Sequence, residues 1–254
     1  MKVQTKVFNG WKVSFINEIE VKDVLNELLV HREYEVKIGK SNPVIMDVGA
    51  NIGLATLYFK QLYPESKIMA FEPNPQTYQL LVKNIKQNKL SNISTFNVAV
   101  TKEESEVDFY VYSSRRDIPW SIGDSLMKSS INLWQKDFLS NTVKVKTIKL
   151  SRYINSSVDL LKIDIEGSET DVLVEIEDKL KLIENIVLEY HRDQNNPNNK
   201  METIVEILAR NRFEYWVRMV WFPIPKQFVL AVVNLLTLLK ISWFTMQIKA
   251  LKVS

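Results

Sequence analysis

Cysteine is absent from the 254 residues, which excludes disulfides, thiolate zinc sites and a cysteine nucleophile. Glycine occurs six times and histidine twice, so the positions where a tight turn or an imidazole can act are easily enumerated. Neither sign of charge predominates: 33 Lys and Arg against 30 Asp and Glu leave a net +3, too little to argue for a nucleic-acid partner. The opening residues, MKVQTKVFNGWKVSF, contain no apolar stretch long enough for a signal peptide, and the expected location is the cytoplasm. With 46% hydrophobic and 25% charged residues, the chain can bury a core without metals or disulfides. The length allows one domain or two.

Residues 1–42 form an extension of mixed character. Val21, Val24, Leu25, Leu28 and Leu29 recur at helical spacing and predict a helix over about 21–31. From Pro43 onward, short β-branched runs alternate with amphipathic stretches. Strands are expected at 44–47, 67–71 and 93–100, with helices at 54–62 and 75–88. Pro75 suits a first helical turn. Further strand-like runs lie at 106–112 and 143–150, then at 160–165 and 185–190. The last two are followed by helices at 168–182 and 201–211. This order predicts an α/β fold with a doubly wound, largely parallel sheet and right-handed crossovers. No internal repeat is visible, and the composition shifts only near Trp221.

The motif richest in chemistry is Asp47-Val-Gly-Ala-Asn-Ile-Gly53, set between a strand and a helix. Gly49 and Gly53 permit a tight turn and close backbone approach, and the following helix start favours a ligand's negative charge. Asp47, two residues before the first glycine, suits an ammonium group. A dinucleotide fingerprint needs G-x-G-x-x-G. Asn51 and Leu54 occupy its second and third glycine positions, so an NAD site is excluded. The remaining alternative is a strand-to-helix turn with no ligand. Glu72 ends the next strand in Phe71-Glu-Pro-Asn-Pro75, where an acid in a doubly wound nucleotide site receives ribose hydroxyls. A surface Glu capping the next helix is the plainer reading.

With these blocks, and with NVAV (97–100), Ser125-Leu126, LLKIDIEGSE (160–169) and LEYH (188–191), the chain resembles the FkbM-type methyltransferases over roughly residues 43–191. The resemblance implies a class I, Rossmann-like sheet of order 3-2-1-4-5-7-6 with the last strand antiparallel, built from residues 43–254. It implies S-adenosyl-L-methionine lying across the first two strand ends, held by Asp47, Gly49, Asn51, Gly53, Glu72, Val98, Ala99 and Asp164. It further implies methyl transfer to an oxygen, commonly a hydroxyl of a sugar, glycoconjugate or small metabolite. One position departs from the family pattern: Ser151 follows Leu150 where the family usually carries Asp. A capping Asp is replaced well by Ser; an Asp with a chemical role would point to a different acceptor class.

Asp164 and Glu166 stand two apart at a strand end, and so do Glu189 and His191. Residues two apart on a strand share a face, and strand ends in such sheets form the ligand crevice. The catalytic candidates are therefore Asp164, to orient acceptor or donor, Glu166, to touch the acceptor, and His191, as a carboxylate-oriented general base. Hydrogen bonding to a loop carbonyl is the plainer role for His191. Paired acids can also hold a divalent cation, but no further ligand set is apparent and no metal is expected. Ser168 with Asp171 fits a capping box. Lys162 either reaches a neighbouring strand end or packs.

Residues 113–142 lose periodicity and carry Arg115, Arg116, Trp120 and Trp134, which makes them either a lid over the acceptor or an insertion packed on the body. Residues 225–242 hold an apolar run from Phe228 to Leu239, too short to span a bilayer. Its partner is expected to be the core, then a second subunit, then a membrane surface helped by Lys226, Lys240 and Lys249. The expected function is an O-methyltransferase for a small-molecule or glycan acceptor, with no nucleic-acid partner. The rivals are an RNA or protein methyltransferase and a non-catalytic module that binds S-adenosylmethionine.

Overall fold

The structure, a computed structural model, describes residues 2–113, 124–126, 139–193, 196–219, 222–224, 228–238 and 243–253. A hairpin opens the chain, β1 (Gln4–Phe8) with β2 (Trp11–Phe15), and leads into α1 (Glu18–Leu29). Asn17 caps α1 by accepting from the Ile19 N–H at 3.0 Å. The helix therefore starts earlier than the apolar spacing alone indicates. The alternating region follows as β3 (Val44–Val48), α2 (Leu54–Leu62), β4 (Lys67–Phe71), α3 (Pro75–Gln87) and β5 (Ile93–Phe96). After these come β6 (Ala99–Val100), β7 (Glu106–Ser113), β8 (Leu139–Ile148) and β9 (Leu160–Ile163). The chain continues through α4 (Glu169–Glu175), β10 (Asn185–Asp193), α5 (Met201–Arg210), β11 (Phe213–Met219), β12 (Phe222–Ile224), α6 (Val229–Leu238) and β13 (Trp243–Lys252).

Eight strands form the main sheet in the order β12-β11-β13-β10-β9-β3-β4-β5. Strands β5, β4, β3, β9 and β10 run parallel, and β13 lies antiparallel between β10 and β11. Alternation along the central strands divides the core in two. Met46, Val48, Leu161, Ile163, Ile186 and Leu188 face α4, α5 and α6. Ile45, Leu160 and Val187 face α1 and α2, with Phe15, Val21 and Leu28 of the N-terminal segment buried against them. Helices on both faces bury the sheet twice over, which is why its strands read as continuous apolar runs.

Three expectations need correction. Residues 93–100 are two strands in different sheets. Asn97 breaks the run by donating its amide to the carbonyls of Glu72 and Pro73, both at 2.9 Å, and Ala99–Val100 pairs with β8 in a small β6-β8-β7 sheet. The helix expected over 168–182 ends at Glu175 and continues as a 3-10 turn, Glu177–Leu182. Ser168 stands at the N-cap of α4 without a side-chain capping bond. Instead Glu169 accepts from the Gly167 N–H at 2.9 Å, and Asn199 accepts from the Thr170 N–H at 3.0 Å, so a buried asparagine 29 residues away along the chain does part of the capping. Most of 113–142, including Arg115, Arg116, Trp120 and Trp134, lies outside the described residues, as do Lys226, Leu239 and Lys240.

Candidate active site

The turn after β3 is shaped by glycine. Gly49 has φ +79°, and a Cβ there would meet the Asp164 carbonyl oxygen at 1.8 Å. Only a residue without a side chain lets the two loops touch. Lys162 fixes the same junction from below. Its ammonium donates to the Gly49 carbonyl at 2.5 Å and lies 3.3 Å from Asp164 and 3.4 Å from Asp47. Burial lowers the Lys162 pKa, but Asp164 and Asp47 outweigh it and the net shift is upward.

Two cavities meet at this loop. The first, about 250 Å³, is lined by Gly49, Asn51, Glu72, Val98, Ala99, Asp124, Leu126, Asp164 and Glu166, with Phe15, Asn17 and Glu20 from the N-terminal segment. The second, about 260 Å³, lies beside it under α1. Glu20, Gly49, Asn51, Ile52, Asp164 and Glu166 line both. Glu72 is buried and accepts from the backbone N–H of Asn51 at 2.9 Å and of Asn74 at 2.8 Å. Burial pushes its pKa to about 8, against the pull of those two N–H groups. Each of its oxygens thus accepts one N–H, and the remaining hydrogen-bonding capacity of the group is left for a hydroxyl pair.

Two of the residues implied as donor-binding stand elsewhere. Asp47 is fully buried, accepts from the Thr56 hydroxyl at 2.6 Å and faces Lys162. It lines neither cavity, so it supports the loop from beneath rather than meeting an ammonium group. Gly53, at φ +91° against Leu81, starts α2 and also lines neither cavity.

Asp164, Glu166, Glu189 and His191 do come together: alternation along β10 places Glu189 and His191, but not Asp164 and Glu166. Strand β9 stops at Ile163, and Glu166 sits in the left-handed region at φ 56° with Gly167 at φ 108°. The Ser125 hydroxyl donates to the Glu166 carbonyl at 2.6 Å and braces that turn. His191 Nδ1 lies 2.9 Å from Glu169, while Nε2 lies 3.5 Å from Glu189, 3.6 Å from Glu166 and 3.8 Å from Asp164. Asn199 clamps this group from behind, donating to Glu169 at 2.5 Å and to the His191 carbonyl at 2.8 Å. The Tyr34 hydroxyl donates to Asp164 at 3.1 Å and to Glu189 at 3.4 Å. Glu169, Asn199 and Tyr34 were not candidates from sequence, since nothing in the spacing of residues 34, 169 and 199 ties them together.

The electrostatics bear on the role expected for His191. Burial works against the imidazolium, yet Glu166, Glu169 and Glu189 more than offset it and hold its pKa well above the ordinary range. A raised pKa favours the protonated ring, which makes it a weaker general base, and His191 lines neither cavity. Burial raises the Glu166 pKa to about 7, with His191 pulling the other way. Burial also raises Asp164, but Lys162 and His191 dominate and hold it below the usual carboxylate range. Asp164, Glu166 and His191 offer ligand atoms within 4.8 Å of one another. The departure at Ser151 lies away from this chemistry: its N–H and hydroxyl both bond to Glu175, at 3.1 and 2.5 Å, and it lines neither cavity.

A doubly wound sheet with a glycine turn after its first parallel strand, an acid at the end of the second, and β13 set antiparallel between β10 and β11 is the architecture of the class I methyltransferases. The Methyltransferase FkbM domain profile matches residues 47–215, and the chain belongs to that family. It is 29% identical over 187 residues to "Methyltransferase 1" of Beauveria bassiana, covering 68% of this chain and 74% of that protein. It is 27% identical over 177 residues to the 2-O-methyltransferase NoeI of Sinorhizobium fredii, covering 67% and 72%. It is 26% identical over 211 residues to the 31-O-demethyl-FK506 methyltransferase FkbM of Streptomyces tacrolimicus, covering 72% and 79%. Among solved structures, the methyltransferase FkbM of Methylobacillus flagellatus KT shares the fold at a TM-score of 0.52 and 14% identity. That match covers 88% of this chain and about half, 47%, of the other. The chain is a methyltransferase.

Proposed function

We propose that the protein transfers a methyl group from S-adenosyl-L-methionine to a hydroxyl oxygen of a saccharide, glycoconjugate or small metabolite. The observation that carries this reading is the shared wall: Asp164 and Glu166 line both cavities, so a donor in one and an acceptor in the other meet at these two carboxylates. The donor set of the first cavity fits the methyl donor: the Glu72 carboxylate for a ribose diol, Val98, Ala99 and Leu126 for a flat ring, and Asp164 for an amino group. When bound, that donor supplies a methyl group on a positively charged sulfur, so the methyl needs no activation by the protein.

The chain's own residues then position the acceptor and take its proton. Glu166 accepts the hydroxyl proton, as its pKa near neutrality suits. Asp164, held ionised by Lys162 and His191, orients the donor's amino group or the acceptor. The carboxylates lining the second cavity disfavour a phosphodiester there, which supports a small-molecule or glycan acceptor over RNA. The protein is expected to bind S-adenosylhomocysteine with a raised melting temperature. Glu72→Ala is expected to weaken that binding by about 1.5–3 kcal/mol. Incubation with methyl-labelled donor and a panel of saccharides should place the label on an oxygen. Binding of NAD in place of S-adenosylhomocysteine, or label appearing on nitrogen only, would overturn the reading.

A further inference from the structure

The wall of the second cavity that faces Asp164 and Glu166 is built by α1 and the loop after it, through Glu20, Val21, Asp23, Val24, Glu27 and Tyr34. These residues precede the stretch that matches the family, 47–215. The cofactor turn and the acid cluster lie within the matched stretch, whereas the opposite wall lies before it.

Its chemistry is specific. Asp164 is matched by Lys162 and Tyr34, and Glu189 by Tyr34 and His191. Glu20 accepts from Asn51. The half-buried Glu27 carboxylate has no hydrogen bond and no ion pair within 4 Å from any described residue. Burial raises its pKa to about 8, and the charges that add most to that shift, Glu189, Glu33, Asp164 and Asp23, are all acidic. A half-buried carboxyl group among like charges is either protonated or held ionised by a cation brought from outside.

We propose that α1 is the acceptor-selecting element and that Glu27 receives a positively charged amino group on the acceptor, so that the substrate is a hydroxylated amine such as an amino sugar. The inference rests on the reading of the two cavities as donor and acceptor sites. Glu27 and Glu166 line the same cavity, so an acceptor held by its ammonium at Glu27 shares that space with the Glu166 carboxyl group, and a carboxylated or phosphorylated analogue meets the like charge of its acidic lining.

The test is calorimetric titration of the protein loaded with S-adenosylhomocysteine, using the methyl glycosides of glucosamine, glucose and glucuronic acid and, separately, magnesium chloride. The glucosamine probe is expected to bind roughly tenfold more tightly than the glucose probe, the size of one well-formed charged contact, and the glucuronic probe most weakly. Glu27→Gln should abolish that ranking and leave the affinity for S-adenosylhomocysteine unchanged, which also certifies the fold. Glu27→Lys should invert the ranking in favour of the glucuronic probe. Equal affinities in the wild type, a ranking that survives Glu27→Gln, no binding of the amine up to the millimolar range, or magnesium binding that Glu27→Gln removes would each overturn the proposal. Failure to bind S-adenosylhomocysteine at all would instead overturn the underlying assignment of the first cavity.

Discussion

At the scale of single residues, the pairing of Glu166 with the His191 imidazolium makes the pH profile diagnostic. Glu166 must be ionised to take a proton, so activity should rise with pH through a midpoint near its pKa of about 7. Glu166→Gln removes that limb and lowers turnover by about 10²–10⁴-fold. His191→Ala removes a positive charge that holds the Glu166 pKa down, so the midpoint should move to higher pH, with turnover largely recovered on the alkaline side. A histidine acting as the base would instead lose turnover at every pH. The sequence marked Asp164, Glu166 and His191 as neighbours because each ends a crevice-facing strand. It could not show that His191 is protonated, since that depends on Glu166 and Glu169, which lie more than 20 residues away along the chain and reach the ring through the fold.

Elements were the most legible level where apolar periodicity was strong. The bounds expected for α2 and β4 agree with the structure to the residue, because Pro64 and Glu72-Pro73 punctuate both ends. Errors occurred where side chains reach across the chain to replace a local signal: Asn97 splits a strand, and Asn199 substitutes for a cap. The glycine turn between β3 and α2 is the element whose conformation the site most needs. Gly49→Ala would add a Cβ 1.8 Å from the Asp164 carbonyl in a left-handed backbone. The left-handed strain alone costs about 1–2 kcal/mol, and the clash with backbone adds to it. We expect a stability loss above 2 kcal/mol in urea unfolding, together with weakened S-adenosylhomocysteine binding. Gly39→Ala serves as the control, since nothing lies within 4 Å of its added Cβ, and should stay within about 0.5 kcal/mol of wild type.

At the scale of the whole molecule, the alternation of strands and helices from Pro43 onward was enough to announce a doubly wound sheet. The N-terminal segment was read as an extension, yet Phe15, Val21 and Leu28 are buried against the sheet and α1 walls both cavities. Amphipathic spacing says that a helix has a partner and not which one. For α6 the expected order of partners was the core, then a second subunit, then a membrane surface. Among the described residues no helix is long and apolar enough to cross a membrane. Val229 and Val233 are buried in the main core, whereas Phe228 and Leu230 are exposed. The two faces of α6 should therefore respond differently. Val229→Ala with Val233→Ala removes four buried methyl groups, and at about 0.8 kcal/mol per buried carbon, with a cavity cost in addition, should lower stability by roughly 3 kcal/mol or more in urea unfolding. Phe228→Ser with Leu230→Ser should shift it by no more than about 0.5 kcal/mol per site. If the outer pair instead proved as costly as the inner pair, and the loss grew with dilution of the protein, the exposed face would be a subunit interface, and the burial seen in the single chain would account for only half of what holds the helix.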